Sequence, residues 1–163
     1  MNYKTLLFSI LFFGILSCDK KEETCSDCED QEDYEECEGT LLATKSLESE
    51  YDCTNTKREM EIDLSEDYTI IINQSDFDSL VTGDCKPEIN FSSYDLVIGK
   101  KGLTSGNTSI KYELIEDCEN GSQNLTVTFH QTWTTEAPNL TYHALIPKLE
   151  NEDQLSVEII VLD

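Results

Sequence analysis

From Leu41 onward, apolar residues recur at every second position in short segments, and this period constrains the fold more than any other feature. Met60, Ile62 and Leu64 alternate with Glu59, Glu61 and Asp63, which predicts a half-buried strand because successive strand side chains face opposite ways. Residues 69–72 form a second, more fully buried strand. Ser75 supplies an N-cap with the Asp78 carboxylate three residues on, predicting a short helix through Leu80 and Val81 that Gly83 ends. Residues 94–98 are the third strand, and Gly99, Gly102 and Gly106 mark the loop or hairpin after it. Ile110, Tyr112 and Leu114 alternate with Lys111 and Glu113. Asn120-Gly121 is a strong turn signal before Leu125, Val127 and Phe129, which alternate with Thr126, Thr128 and His130. Residues 142–146, ended by Pro147, and residues 155–162 complete the set. The fold expected is mainly β: an antiparallel β-sandwich or open barrel of about seven strands with one short helix. There is no βαβ alternation and no internal repeat at solenoid spacing.

Residues ahead of this region have a different character. Between positions 19 and 39 lie Asp19, Glu22, Glu23, Asp27, Glu29 and further acids through Glu38, with almost nothing able to pack in a core. Like-charge runs of this kind are expected to stay extended, and a flexible chain of this length spans about 25–30 Å. The whole chain carries 34 Asp and Glu against 11 Lys and Arg, a net charge of −23 at neutral pH. That charge argues against nucleic acid as a partner, because phosphate neutralisation needs clustered Lys and Arg.

At the start of the chain, an apolar run from Leu6 to Leu16 with Lys4 in front is too short for a membrane span, which needs ~20 apolar residues. It reads as a secretory signal. Its end, Ile15-Leu16-Ser17-Cys18, resembles the bacterial lipobox, in which cleavage exposes a cysteine that carries acyl chains. The resemblance implies lipidation at Cys18, with each buried methylene contributing ~0.8 kcal/mol to membrane attachment. Lys21-Glu22-Glu23 resembles the export tag of Bacteroidota surface lipoproteins, which implies display on the exterior of the outer membrane in preference to retention in the periplasm. The resulting organisation is a lipoprotein signal peptide over 1–17, a lipidated acidic disordered tether over 18–39 and a β domain over 40–163. With Cys18 assigned to lipid, six cysteines of the seven remain, and an exported location is oxidising enough to pair them. Connectivity is open on sequence grounds. Cys85 with Cys118 inside the domain, and Cys53 with a tail cysteine, is the expectation.

Three segments carry a further resemblance: residues 75–80 after a strand, the segment 87–97 containing Phe91-Ser92-Ser93-Tyr94, and Tyr142-His143-Ala144-Leu145-Ile146-Pro147. In this order they resemble the small β domain of many Bacteroidota lipoproteins and, more distantly, the C-terminal domain of PrcB-type protease-complex subunits. The resemblance covers residues 65–160. Lys101 to Asn107 stands where the protease-complex domain commonly has a Gly-Gly-like turn. The family has no catalytic residues to carry over, and it implies a binding or partner-stabilising role.

Signals for chemistry are sparse. The two histidines, His130 and His143, make a hydrolytic triad conceivable, yet no Gly-x-Ser-x-Gly elbow surrounds any serine. Cys25, Cys28 and Cys37 offer thiolates at a spacing zinc uses, without a second Cys-x-x-Cys or a nearby histidine. Thr126, Thr128, His130, Thr132 and Thr134, with Trp133 nearby, define a polar β face suited to a sugar or a protein. The function expected is a membrane-anchored, surface-displayed lipoprotein whose β domain is a non-enzymatic protein- or glycan-binding module without a cofactor. The alternative is a metal-handling lipoprotein that captures cations through its acidic, Cys-rich tail. Lipidation gives the first test: Cys18→Ser should abolish metabolic labelling by palmitate and move the protein from the detergent phase to the aqueous phase of a Triton X-114 partition. Labelling that survives the substitution would refute it.

Overall fold

Alternation of buried and exposed side chains organises the described residues, 37–64 and 68–163 of the computed structural model, into nine strands, three short α-helices and one 3-10 turn. In chain order these are β1 (Thr40–Leu42), α1 (Leu47–Tyr51), α2 (Thr56–Glu59), β2 (Glu61–Ile62), β3 (Tyr68–Ile71), α3 (Gln74–Leu80), β4 (Val81–Thr82), β5 (Tyr94–Gly102), β6 (Gly106–Glu116), β7 (Gln123–Thr132), β8 (Asn139–Pro147), the 3-10 turn Glu152–Gln154 and β9 (Leu155–Leu162). The expected signal segment, Cys18, Lys21, Glu22, Glu23, Cys25 and Cys28 lie outside the described residues. No described helix is long and apolar enough to cross a membrane.

Two sheets face each other, in the order β1-β6-β7-β9 and β3-β5-β8, while β2 and β4 form a separate short pair. The sheets do not close into a barrel. Between them lies one core, built from Leu114 of β6, Leu125, Val127 and Phe129 of β7, and Val97, Leu140, Tyr142, Ala144 and Ile146 of β5 and β8. Phe129 meets Tyr142 edge to face across the sheets, with ring centroids 5.8 Å apart, a geometry that adds ~0.5–1.5 kcal/mol beyond area burial.

β5 and β8 do not alternate between buried and exposed, because both of their faces are covered. Leu96, Ile98 and Leu145 point away from the first core into a second one, with Leu47, Met60, Ile62, Ile71, Phe77 and Val81. The helices and the β2–β4 pair therefore form a third layer over the outer face of the smaller sheet. Inside this sandwich, the buried Asp95 carboxylate is satisfied by Lys148 Nζ at 2.5 Å and by Leu149 N at 2.9 Å, which ties the connection after β8 to β5.

The mainly β sandwich matches expectation, and several details correct it. The strands number nine among the described residues, and three helices replace the single one expected. Pairing is antiparallel except between β7 and β9, which are parallel (Gln123↔Leu155 to His130↔Leu162). The cause is the placement of β8 in the other sheet: the chain reverses twice before returning beside β7. Gly99 and Gly102 lie within β5, Gly106 opens β6, and Leu103 to Ser105 form no hairpin but a connection that crosses from the smaller sheet to the larger. Asn73, not Ser75, caps α3 by accepting from Asp76 N at 2.9 Å. Gly83 follows β4 at φ +127, and a Cβ there would collide with the Glu59 carbonyl oxygen.

Cysteine connectivity also differs from expectation. Two pairs stand at disulfide distance, Cys37–Cys118 and Cys53–Cys85, with Cα separations of 6.1 and 5.6 Å. Cys85 cannot serve Cys118, because β4 pairs with β2 and so carries Cys85 to the loop between α1 and α2, where Cys53 lies. Cys118 sits in the turn after β6, and β1 runs antiparallel to that end of β6 (Thr40↔Glu116), bringing Cys37 to it. The Cys53–Cys85 bridge spans 32 residues, a loop whose closure removes ~3–4 kcal/mol of unfolded-state entropy. We expect Cys53→Ala with Cys85→Ala to lower the unfolding free energy in urea by about 2–4 kcal/mol. A midpoint equal to that of the parent would refute this pairing.

Candidate functional site

Two constellations of polar side chains stand out, one inside the helical layer and one at an end of the sandwich. The first begins with Ser46, whose hydroxyl accepts from Ser49 N at 3.1 Å while Ser49 reciprocates on the Ser46 backbone, a capping box that starts α1 and places Glu48 in its first turn. Asp52 and Asn55, both with left-handed backbone, reverse the chain so that α2 begins at Thr56. From below, β8 directs its odd-numbered side chains toward this layer. Thr141 Oγ1 donates to the Met60 carbonyl at 2.5 Å. His143 Nε2 lies 2.6 Å from Thr56 Oγ1 and 3.4 Å from a Glu48 carboxylate oxygen, and Thr56 also donates to Glu48. The backbone N–H of His143 donates to the Tyr112 hydroxyl at 3.1 Å, linking β8 to β6 of the other sheet.

Burial pushes the Glu48 carboxyl up, but hydrogen bonds from His143 and Thr56 outweigh it and hold the group down at about 2. The Tyr112 phenol is pushed above its ordinary value by burial. A hydrolytic triad needs its acid on one imidazole nitrogen and its hydroxyl on the other. Here both Glu48 and Thr56 face Nε2, and Nδ1 is buried without a partner among the described residues. Thr56 is 2 % exposed and His143 3 %. The arrangement is a clasp that pins α1 and α2 onto β8.

The second constellation lies where the turn between β5 and β6, the connection from β7 to β8 and the end of β9 converge. A cleft of about 500 Å³ is lined there by Ser105, Gln131, Thr132, Trp133, Thr134, Thr135 and Asp163. Trp133 is 98 % exposed. Its loop is nonetheless held on several sides. Thr134 N donates to the Thr132 carbonyl at 2.8 Å, and Gly106 N donates to Thr134 Oγ1 at 3.0 Å. A Cβ on Gly106 would strike that hydroxyl, so only glycine permits the approach. Leu103 N donates to the Pro138 carbonyl at 2.9 Å, and the Arg58 guanidinium forks onto Glu136 at 3.1 and 3.2 Å. With its amide oriented so that the nitrogen faces Asp163 and the oxygen faces Ser105, the assignment its surroundings satisfy best, Gln131 donates to Asp163 Oδ1 at 3.1 Å and accepts from Ser105 N at 3.0 Å and Ser105 Oγ at 2.9 Å.

The predicted polar face is therefore brought together in part. Thr126, Thr128 and His130 share the outer face of the larger sheet, where Thr126 lies between Glu113 and Glu158, Thr128 between Lys111 and Ile160, and His130 between Ser109 and Leu162. Thr134 leaves that row, since its hydroxyl folds back onto Gly106. Of the Cys25, Cys28 and Cys37 set, the described member Cys37 is paired with Cys118, so its sulfur is not a free thiolate. No cluster of three metal-ligating side chains occurs among the described residues. Glu48 and Thr56 were not singled out from the sequence. The signal for Glu48 was the Ser46-x-x-Ser49 cap; Thr56 carried none, since the His143 it meets lies 87 positions away.

Together these features define a two-sheet β-sandwich with a clasped helical cover and a loop-built cleft. Compared with known proteins, the chain matches no family model, no curated protein and no solved structure.

The clasp makes stability depend on pH. Glu48 titrates at about 2 when folded against an ordinary 4.5, so the unfolded chain binds more protons between those values. The contribution is whole above pH 4.5 and is lost as pH falls through about 2. In Glu48→Gln the urea midpoint should depend less steeply on pH across this window than in the parent. Identical slopes would show that Glu48 is not coupled to folding.

Proposed function

We propose that this protein is a lipoprotein anchored in the outer membrane through acylated Cys18, facing the cell exterior, whose β domain is a non-enzymatic binding module for a protein or a glycan. The anchoring half of this reading is supported by the lipobox-like residues 15–18 and the Lys21-Glu22-Glu23 tag. The binding half is carried by one observation: a wholly exposed indole, on a loop fixed by the Arg58–Glu136 fork, at the edge of a cleft of about 500 Å³. A large aromatic ring left in water is unfavourable unless something covers it, and aromatic residues on rigid loops are recurrent anchors of recognition sites. The inward-facing geometry of the Glu48–Thr56–His143 clasp favours the non-enzymatic form of the proposal, and the earlier likeness to partner-stabilising domains points the same way. Metal capture by the tail draws no support from Cys37, which is engaged with Cys118.

Trp133 is the one tryptophan of the chain, so its emission reports on the cleft directly. When the full-length protein is mixed with solubilised envelope fractions, separated into glycan and protein pools, at least one pool should shift the emission to the blue and reduce quenching by acrylamide. No change with any pool would refute the binding reading.

A further inference from the structure

The lining of the Trp133 cleft also bears on the chemistry of its occupant. Apart from the indole, the residues lining it are Ser105, Thr132, Thr134, Thr135, Gln131 and Asp163, which bring hydroxyls, an amide and one side-chain carboxylate alongside the threonine methyls. Among the described residues no Lys or Arg lines it, and Arg58, the cation held to its loop, is already engaged by Glu136. A protein hot spot would surround the indole with apolar neighbours that exclude water. Here the neighbours are threonine and serine. An anionic ligand would meet the Asp163 carboxylate and a chain of net charge −23 without a compensating cation.

We propose that the cleft binds an uncharged polysaccharide, with one pyranose ring stacked on Trp133 and its hydroxyls hydrogen-bonded to the Ser105, Gln131, Thr134 and Asp163 side chains. This rests on the binding-module reading and narrows it to one ligand class. A pyranose offers what the cleft lacks: a flat C–H face to cover an indole, and a rim of hydroxyls that both donate and accept. The carboxylate then becomes an asset, since it accepts from sugar hydroxyls as strongly as any group in the site. Gln131, held between Ser105 and Asp163, fixes both neighbours in place before the ligand arrives.

The test is affinity electrophoresis of the full-length protein through gels containing laminarin, yeast mannan, arabinoxylan or dextran, with alginate and polygalacturonate as acidic counterparts. At least one neutral polymer should retard the protein, and the acidic polymers should not. Trp133→Ala should weaken the retardation about tenfold or more, whereas Trp133→Phe should stay within about threefold. Circular dichroism of each variant guards against misfolding, which an exposed position makes unnecessary to invoke. Retardation by acidic polymers to the same degree, or retardation indifferent to Trp133→Ala, would overturn the proposal. Should the indole respond only to the protein pool of the envelope, the glycan assignment falls and the binding-module reading stands; if it responds to neither pool, both fall.

Discussion

The packing of β8 on two faces at once is the constraint on which the rest of the structure depends. Its even-numbered residues, Leu140, Tyr142, Ala144 and Ile146, fill the core between the sheets, while Leu145 on the opposite face joins the core under the helices. Thr141 and His143 share that second face, where Thr141 Oγ1 and His143 Nε2 are buried and need partners. Thr141 finds the Met60 carbonyl, and His143 finds Thr56 and Glu48. Short helices such as α1 and α2 would not persist alone, since nucleation costs more than so few turns return. They hold here because β8 offers them specific polar partners as well as apolar surface.

That central position also sets the topology. Once β8 belongs to the smaller sheet, the next strand arrives at the larger sheet running the same way as β7, and β9 pairs in parallel. The same passage brings the end of β9 beside the turn between β5 and β6, where Gln131 joins Asp163 to Ser105. The cleft is thus a consequence of strand order at one end of the sandwich, with Trp133 carried on the loop that crosses from one sheet to the other. Loops anchored on a rigid scaffold can keep an aromatic ring exposed at little entropic cost to a later binding event.

Much of the larger sheet was legible from local pattern. Leu125, Val127 and Phe129 alternate with half-buried Thr126, Thr128 and His130 as expected, because one face of β7 meets the core and the other meets solvent. The same approach found β5 only as far as Ile98, because Gly99 and Gly102 read as a loop and are strand. In the helical layer the period was too short to register: α1 and α2 hold five and four residues, and neither displays a full amphipathic repeat. Trp133 was noticed as a neighbour of the threonine face. Its role as the lip of a separate cleft was not visible, since Ser105 and Asp163 are remote in the chain.

Sequence alone determined the mainly β character and the acidic composition of residues 19–39, because these follow from side-chain period and charge. Tertiary structure decided the partners: Cys53 with Cys85, Cys37 with Cys118, β9 alongside β7, and His143 with Glu48 and Thr56. The reason is geometric. A residue's own face is set by its neighbours along the chain, but the group it meets is set by where distant strands are stacked, and no local pattern encodes that distance.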